Sequence, residues 1–336
     1  MADFDEFKFD INSLKKPRKP GISGFMRIKN EAKFLRLSIL SHIEFYDEII
    51  AVYNDCNDAT PEILQDLQKQ FPDKIKIYHY LPKVHPTNSN GHSESPAESV
   101  HSLANYYNYA MSKTTFTIVT KLDADHLAIK ENLAPMIAKI RAEMQQNKPT
   151  KYMFSGINLI ENPAGKLVVN AQKTTNLFVG NGDHWYFPAN ENITFEQAPV
   201  WEVLNFSGVN LKSEYLGIMY FHLKFLKDNF GFENQDEAIK RKFIKKILET
   251  VNYVEFDVFR SKKFINNLKK NSISQKNPLK NSIRKFILNR NKAFFNLVMK
   301  LLRIKRYNLQ LIRLITLRQD LKNIDFPAYA EKIKSC

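Results

Sequence analysis

Along the first 130 residues, short apolar runs alternate with amphipathic stretches, a pattern that predicts strands each followed by a helix. Residues 22–28 (ISGFMRI) read as a buried strand, after which Asn30 offers a side-chain oxygen as N-cap to a helix carrying Phe34, Leu35, Leu37 and Ile39. A second strand, 48–55 (EIIAVYND), runs into the polar cluster NDCND. The helix after it has Thr60 to cap it, Pro61 in its first turn, and Ile63, Leu64, Leu67 and Phe71 at helical spacing. The third strand is 74–81 (KIKIYHYL). Beyond a loop rich in Pro, Ser, Asn and His, Ser95-Pro96-Ala97-Glu98 has the form of a capping box, and Val100, Leu103, Ala104, Tyr107, Ala110 and Met111 give the helix it would open an apolar face. FTIVTKL, residues 116–122, is the fourth strand. After residue 150 the pattern changes: KYMFSGINLI and GKLVV flank Asn162-Pro163-Ala164-Gly165, a hairpin signal, so the sheet is expected to become mixed.

Strands alternating with helices imply a parallel sheet with helices on its faces, and ligands of such sheets bind beyond the carboxyl ends of the strands. Asn30, the NDCND cluster and Asp123-Ala124-Asp125-His126 all fall there. On an extended backbone Asp123 and Asp125 point the same way. Two carboxylates a few ångströms apart repel unless a cation lies between them, and hard oxygen ligands suit Mg²⁺ or Mn²⁺. An isolated D-x-D is more often a helix cap than a metal site, and this chain has another, Asp3-Phe4-Asp5, with no strand before it. The place of Asp123-Asp125 at a strand end favours the metal. Neither G-x-x-x-x-G-K-[ST] nor G-x-G-x-x-G occurs, so a nucleotide would be held by metal and side chains rather than by a glycine loop.

The length, 336 residues, and 43% hydrophobic content allow one large domain with an appendage, or two domains. Two cysteines, Cys56 and Cys336, give no disulfide framework, which fits a reducing compartment. The acidic start MADFDEFKFD has no signal-peptide form, and no run approaches 18 uncharged apolar residues. The expectation is a cytoplasmic protein, soluble or peripheral. The net charge of +15 is uneven: residues 241–336 hold 24 Lys and Arg against 6 Asp and Glu, and residues 1–240 are mildly acidic.

FMRIKNEAKFL, AVYNDCNDATPEIL, VTKLDADH, GNGDHWYF, FEQAPVWEV and YFHLKF resemble, in order and spacing, the bacterial β-1,4-N-acetylgalactosaminyltransferases that extend lipooligosaccharide outer cores. The resemblance covers roughly residues 20–230. It implies the GT-A glycosyltransferase fold, a Rossmann-like mixed sheet flanked by helices, divided here into an N-terminal extension (1–20), a catalytic domain (21–240) and a basic α-helical C-terminal region (241–336). It implies Mn²⁺ or Mg²⁺ held by Asp123, Asp125 and His222, with Asp123 also at the ribose-diphosphate. Arg27, Asn30, Asp55 and Lys121 would hold the UDP-sugar, Asp55 through the uracil. His184, Trp185 and Trp201 would face the acceptor. His222 is equally readable as a histidine satisfied within an aromatic strand, and Trp185 and Trp201 each as a core residue. His126 is either an orienting partner of Asp125 or an exposed cap. The base that takes the acceptor's proton is Glu202 or Asp183, with Glu196 third; the resemblance and the adjoining Trp201 favour Glu202.

The implied activity is inverting transfer of N-acetylgalactosamine, or a related hexose, from a UDP-sugar to a saccharide acceptor of lipooligosaccharide or capsule. UDP-GalNAc is the favoured donor. A sugar nucleotidyltransferase would ordinarily show a glycine-rich basic loop after its first strand, and RIKNEA has none. A non-enzymatic membrane-bound carbohydrate-binding protein is the other alternative. Residues 281–318 intersperse Lys and Arg with Phe, Leu and Ile. They are readable as helices packed on the catalytic domain, or as a contact with the anionic inner face of the cytoplasmic membrane, each basic residue contributing about 1 kcal/mol. No nucleic-acid motif supports the other acidic partner.

Overall fold

A computed structural model of the chain describes residues 4–145, 149–171, 178–179, 184–198, 202–271 and 309–336. Strands β1 (Lys19–Ile28), β2 (Glu48–Tyr53), β3 (Ile75–His79) and β4 (Phe116–Lys121) lie parallel in the order β3-β2-β1-β4. β1 and β2 are buried on both faces, without alternation: Ile22, Phe25, Met26, Ile28, Ile49, Ile50 and Val52 are all buried. Helices α1 (Ala32–His42) and α2 (Thr60–Gln70) connect the first three strands, followed by short α3 (Asn90–Glu94) and then α4 (Leu103–Ser112). β1 has β2 on one side and β4 on the other, so the strand order reverses at β1. The crevice at that reversal is the expected ligand position of an open α/β sheet.

Three local expectations fail for tertiary reasons. Asn30 does not cap α1; it has left-handed backbone (φ 52°), and its Oδ1 accepts from the Asn57 N–H at 2.9 Å. The cap comes from the second loop instead. Thr60 Oγ1 accepts from the Glu31 N–H at 2.9 Å, and Asp58 Oδ2 accepts from the Ala32 N–H at 3.0 Å. Thr60 is thereby spent on α1, and Asp58 Oδ1 accepts from its N–H at 3.0 Å. The capping box at Ser95 likewise opens no helix. Helix α4 starts at Leu103 with Ser102 as N-cap, its Oγ accepting from Asn105 N–H at 3.0 Å and donating to Ala97 O at 2.6 Å. Every residue from Leu103 to Met111 is buried, so α4 begins where packing on the sheet begins.

The second half makes the sheet mixed, as expected. Strand β5 (His126–Ala128) and helix α5 (Lys130–Met144) lead into β6 (Thr150–Glu161) and β7 (Leu167–Asn170), an antiparallel pair around the predicted hairpin. Asn162 Oδ1 accepts there from the N–H of Ala164 and Lys166, and Gly165 supplies the left-handed residue at φ 71°. The next strands are β8 (Phe178–Val179), β9 (Trp185–Pro188), β10 (Thr194–Gln197), β11 (Glu202–Asn205) and β12 (Lys212–His222). β9 lies antiparallel between β4 and β6, while β10 and β11 form a separate two-stranded sheet. β12 runs parallel to β6 and antiparallel to β5, with His222 opposite His126. That pairing fixes a late residue beside the D-x-D turn.

Gly156 of β6 lies under the ring of Tyr220, where an added Cβ would sit well inside van der Waals contact. Tyr220 in turn stacks on His126 with centroids 3.8 Å apart. Gly156→Ala is therefore expected to destabilise the fold by about 1–3 kcal/mol, the usual range for overpacking, read as a lower denaturant midpoint. An unchanged midpoint would mean that Tyr220 shifts without cost.

The described residues after 240 join the same framework. They comprise α6 (Glu237–Thr250), β13 (Tyr253–Val254), α7 (Phe256–Arg260), α8 (Lys262–Asn271), α9 (Leu309–Leu321) and α10 (Phe326–Lys334). Phe256, Phe259, Leu314, Leu317 and Tyr329 pack with Ile157, Ile218 and Phe221 in one core. Buried Arg313 donates through Nε to Ser155 Oγ at 2.7 Å. Of the basic stretch 281–318, residues 281–308 lie outside the described residues. Among the described residues no helix is long and apolar enough to cross a membrane.

Candidate active site

At the end of β4 the backbone turns instead of staying extended, so Asp123 and Asp125 take different directions. The turn is held from several elements. Leu122 N–H donates to Phe25 O at 3.0 Å, Asp123 O accepts from Ser38 Oγ at 3.0 Å and from His126 N–H at 3.2 Å, and Asp125 O accepts from Leu223 N–H at 2.8 Å. The two carboxylates are thus placed by β1, α1 and the end of β12.

Asp123 Oδ2 is 3.1 Å from Lys121 Nζ, 3.6 Å from His126 Nε2 and 3.7 Å from His184 Nε2. Asp125 faces the other way: Oδ1 is 3.6 Å from His222 Nε2, and Oδ2 is 2.6 Å from Lys227 Nζ. Burial pushes both carboxyls up, but their basic neighbours prevail. Lys121, then His126, His184 and Arg27, hold Asp123 well below the ordinary carboxylate range, and Lys227, then His222 and His126, do the same for Asp125. Both are ionised at neutral pH.

His126 is buried and stacked on Tyr220, so it is no exposed cap. Its Nε2 is 3.3 Å from His184 Nε2. Burial lowers His222 to about 4, keeping the imidazole neutral. Its Nδ1 is 2.7 Å from Asn158 Oδ1; with Nδ1–H donating there, the Nε2 lone pair is aimed at Asp125. Ligand atoms of Asp123, His126 and His184 lie within 4.8 Å of one another, as do those of Asp125, His126 and His222. Carboxylate oxygens with imidazole nitrogens are a donor set that fits Mn²⁺ or Mg²⁺, Mn²⁺ better because of the nitrogens.

The other residues singled out from the sequence divide. Arg27 lies with its guanidinium 4.5 Å from the centroid of the Tyr107 ring; burial lowers its pKa, but Tyr107, Glu202 and Asp123 raise it further. Arg27 Nε and Glu202 Oε2 are buried without a hydrogen-bond partner among the described residues, two polar atoms left for a ligand. Glu196, one strand over, projects to solvent and accepts from Asn205 Nδ2 at 2.6 Å. Asp55 is exposed at the end of β2, with left-handed backbone (φ 45°) and an ion pair to Lys29 at 2.6 Å. Asn30 is in the neighbouring loop, joined to Asn57. His184 is buried beside the carboxylates. Trp185 is partly buried, edge-on to Phe206, with Lys151 Nζ 5.1 Å from its ring centroid. Asp183 and Trp201 lie outside the described residues.

Three residues of the cluster escaped the sequence pattern. Lys227 pairs with Glu31 at 2.6 Å as well as with Asp125, and Asn158 orients His222. The only sequence signals were the lysines of HLKFLK next to His222 and the acid next to Asn30. Glu31 is raised to about 7: burial and the Asp125 charge outweigh Lys227.

Acid sensitivity follows from the buried imidazoles. His42, bonded to Ser38 O at 2.8 Å, is lowered to about 4 by burial, as is His222. The unfolded chain binds protons on these groups near pH 6.5 and the folded one only near pH 4, so their contribution is complete above about 6.5 and is lost as pH falls toward 4. The melting temperature should fall across that window, and His42→Gln should shallow the fall. A flat profile between pH 7 and 4 would contradict the burial of these rings.

Parallel strands reversing at β1, a mixed continuation, and a D-x-D turn facing a late histidine define a glycosyltransferase of the GT-A fold. The family model of beta-1,4-N-acetylgalactosaminyltransferase (CgtA) matches residues 3–291, and the chain belongs to that family. Among curated proteins there is no match. Similar solved structures include S. aureus TarS 1–349, at 13% identity and a TM-score of 0.37 over 79% of this chain and 77% of that one; it has also been solved with UDP. Another is glucosyl-3-phosphoglycerate synthase from Mycobacterium tuberculosis with Mn²⁺, UDP-glucose and glycerol 3-phosphate, at 13% identity and a TM-score of 0.36 over 74% and 84%. At such scores they assign no residue here.

Proposed function

We propose that the chain is a metal-dependent inverting glycosyltransferase that moves N-acetylgalactosamine, or a related hexose, from UDP to a saccharide acceptor of lipooligosaccharide or capsule. The observation that carries the reading is the pair of ionised carboxylates at the end of β4, flanked by neutral His222 and two lysines. Asp125 and His222, which share a ligand cluster with His126, would hold Mn²⁺ or Mg²⁺, with Asp123 beside them at the ribose-diphosphate; the ion's charge would offset that of the departing diphosphate. Lys121 and Arg27 add positive charge at the same end of the sheet. The loops carrying Asn30 and Asp55, both with left-handed backbone, would receive the uridine. Glu202, charge-coupled to Arg27, takes the acceptor hydroxyl's proton as C1 is attacked from the face opposite UDP. His184 sits beside Asp123, and Trp185 and Trp201 are proposed on the acceptor side.

UDP-GalNAc is favoured as donor on the family description. A hydrolysis panel of UDP-GalNAc, UDP-GlcNAc, UDP-Gal and UDP-Glc with Mn²⁺ tests this, UDP-GalNAc being cleaved fastest. Pyrophosphate release from UTP and a sugar-1-phosphate would overturn the reaction class.

For the basic C-terminal region we propose the inner face of the cytoplasmic membrane as partner. Helix α6 is anchored by Phe243, stacked on Phe232 at 4.8 Å, and by buried Ile247, while Leu248 is 58% exposed beside Arg241 and Lys245. The protein should sediment with anionic but not neutral liposomes and leave them as salt rises, since exposed charges are screened beyond about 8 Å at physiological ionic strength. Salt-insensitive sedimentation would rule out the electrostatic mechanism.

A further inference from the structure

Lys227 occupies an unusual position for a lysine. Its Nζ is 2.6 Å from Asp125 Oδ2 and 2.6 Å from Glu31 Oε2, and its side chain is only 14% exposed. The two oxygens of Asp125 are divided between Lys227 and His222. A divalent ion that takes Asp125 and His222 as ligands therefore competes with the ammonium for one carboxylate. The segment is also strained. Asn229 and Phe230 both have left-handed backbone (φ 48° and 53°), followed by Gly231 at φ 71°. Two such non-glycine residues in succession cost on the order of 1 kcal/mol or more each, and such strain collects where a segment has a second state.

We propose that Lys227 is a diphosphate ligand that exchanges partners: it yields Asp125 to the divalent ion and moves onto the β-phosphate of the nucleotide, with Glu31 keeping it at the site. An ammonium is a point charge with three donors and suits phosphate oxygens. Displaced from Asp125, it has half its pairing left, and the diphosphate of a UDP-sugar is the anion this site is built to receive. Glu31 belongs to the loop after β1, next to Asn30, so the exchange ties the nucleotide loop to the metal carboxylate. The inference rests on the metal and UDP reading above and adds a residue that the reading does not require.

The test is titration calorimetry on the full chain with Mn²⁺ alone, then with UDP and with UMP at saturating Mn²⁺. Lys227→Gln should bind Mn²⁺ alone more tightly, because the competitor is gone, and UDP about tenfold or more weakly, the scale of a lost charged hydrogen bond. UMP, which lacks the β-phosphate, should bind as in the wild type, and this also shows that the variant is folded. Lys227→Arg, keeping the charge, should retain most of the preference for UDP over UMP. Lys227→Met serves as a second charge-free variant if Gln does not fold. Equal losses for UDP and UMP, or an undiminished affinity for UDP, would overturn the β-phosphate role, and weaker binding of Mn²⁺ alone would overturn the competition. A wild-type protein with no Mn²⁺-dependent UDP heat would instead overturn the underlying function, and this proposal with it.

Discussion

Asp125→Ala is expected to abolish sugar transfer, a loss of at least about 10³-fold, while the circular dichroism spectrum stays native. The carboxylate lies within reach of His222, Lys227 and, in a shared ligand cluster, His126, so its removal takes away the metal's proposed anchor. Sequence reasoning about two neighbouring carboxylates would have the variant equally stable or more so, since one of two repelling charges is gone. The structure reverses that sign. Despite its burial, Asp125 is held well below the ordinary carboxylate range, by Lys227 first, so at neutral pH its charge stabilises the fold. The variant should melt below the wild type at pH 7, and the gap should narrow as pH falls below about 4 and the wild-type carboxylate loses its advantage. Full activity in the variant, or wild-type activity indifferent to EDTA, would end the metal hypothesis.

Glu202→Gln should lower turnover by about 10²–10⁴-fold, the contribution of a positioned general base, with little change in the affinity for UDP. Glu202 Oε2 is buried without a hydrogen-bond partner among the described residues, and its charge reaches Arg27 and Tyr107. The amide preserves the shape and removes the proton acceptor. Glu196→Gln should be nearly silent, because that side chain faces solvent on the neighbouring strand. If Asp183→Asn shows the large kinetic effect and Glu202→Gln does not, the base belongs to the GDHW segment and the reaction class stands.

Much of this was legible without coordinates because it is written in local pattern. The first four strands, helices α1 and α2, the hairpin at Asn162–Gly165 and the D-x-D at the end of β4 follow from apolar runs, helical spacing and turn residues, whose physics acts within a few positions. The charge asymmetry of the two parts of the chain is likewise a property of sequence. What the sequence did not contain is which distant groups meet. Asn30 looks like a helix cap, yet Thr60 and Asp58, some 30 positions on, take that role because the loops after β1 and β2 lie side by side. The Ser95 box has the right letters, but α4 starts at Leu103, capped by Ser102, where burial against the sheet repays the ordering of the chain. His126 and His222 become neighbours only through the pairing of β5 with β12, and Lys227 reaches Asp125 only because the chain leaving β12 crosses the D-x-D turn. The sequence by itself determined the elements and the chemistry on offer. The tertiary structure decided which charges face each other, and hence that the repulsion between two acids is relieved by lysines of the chain's own, because electrostatic pairing depends on distance in space and not on separation along the chain.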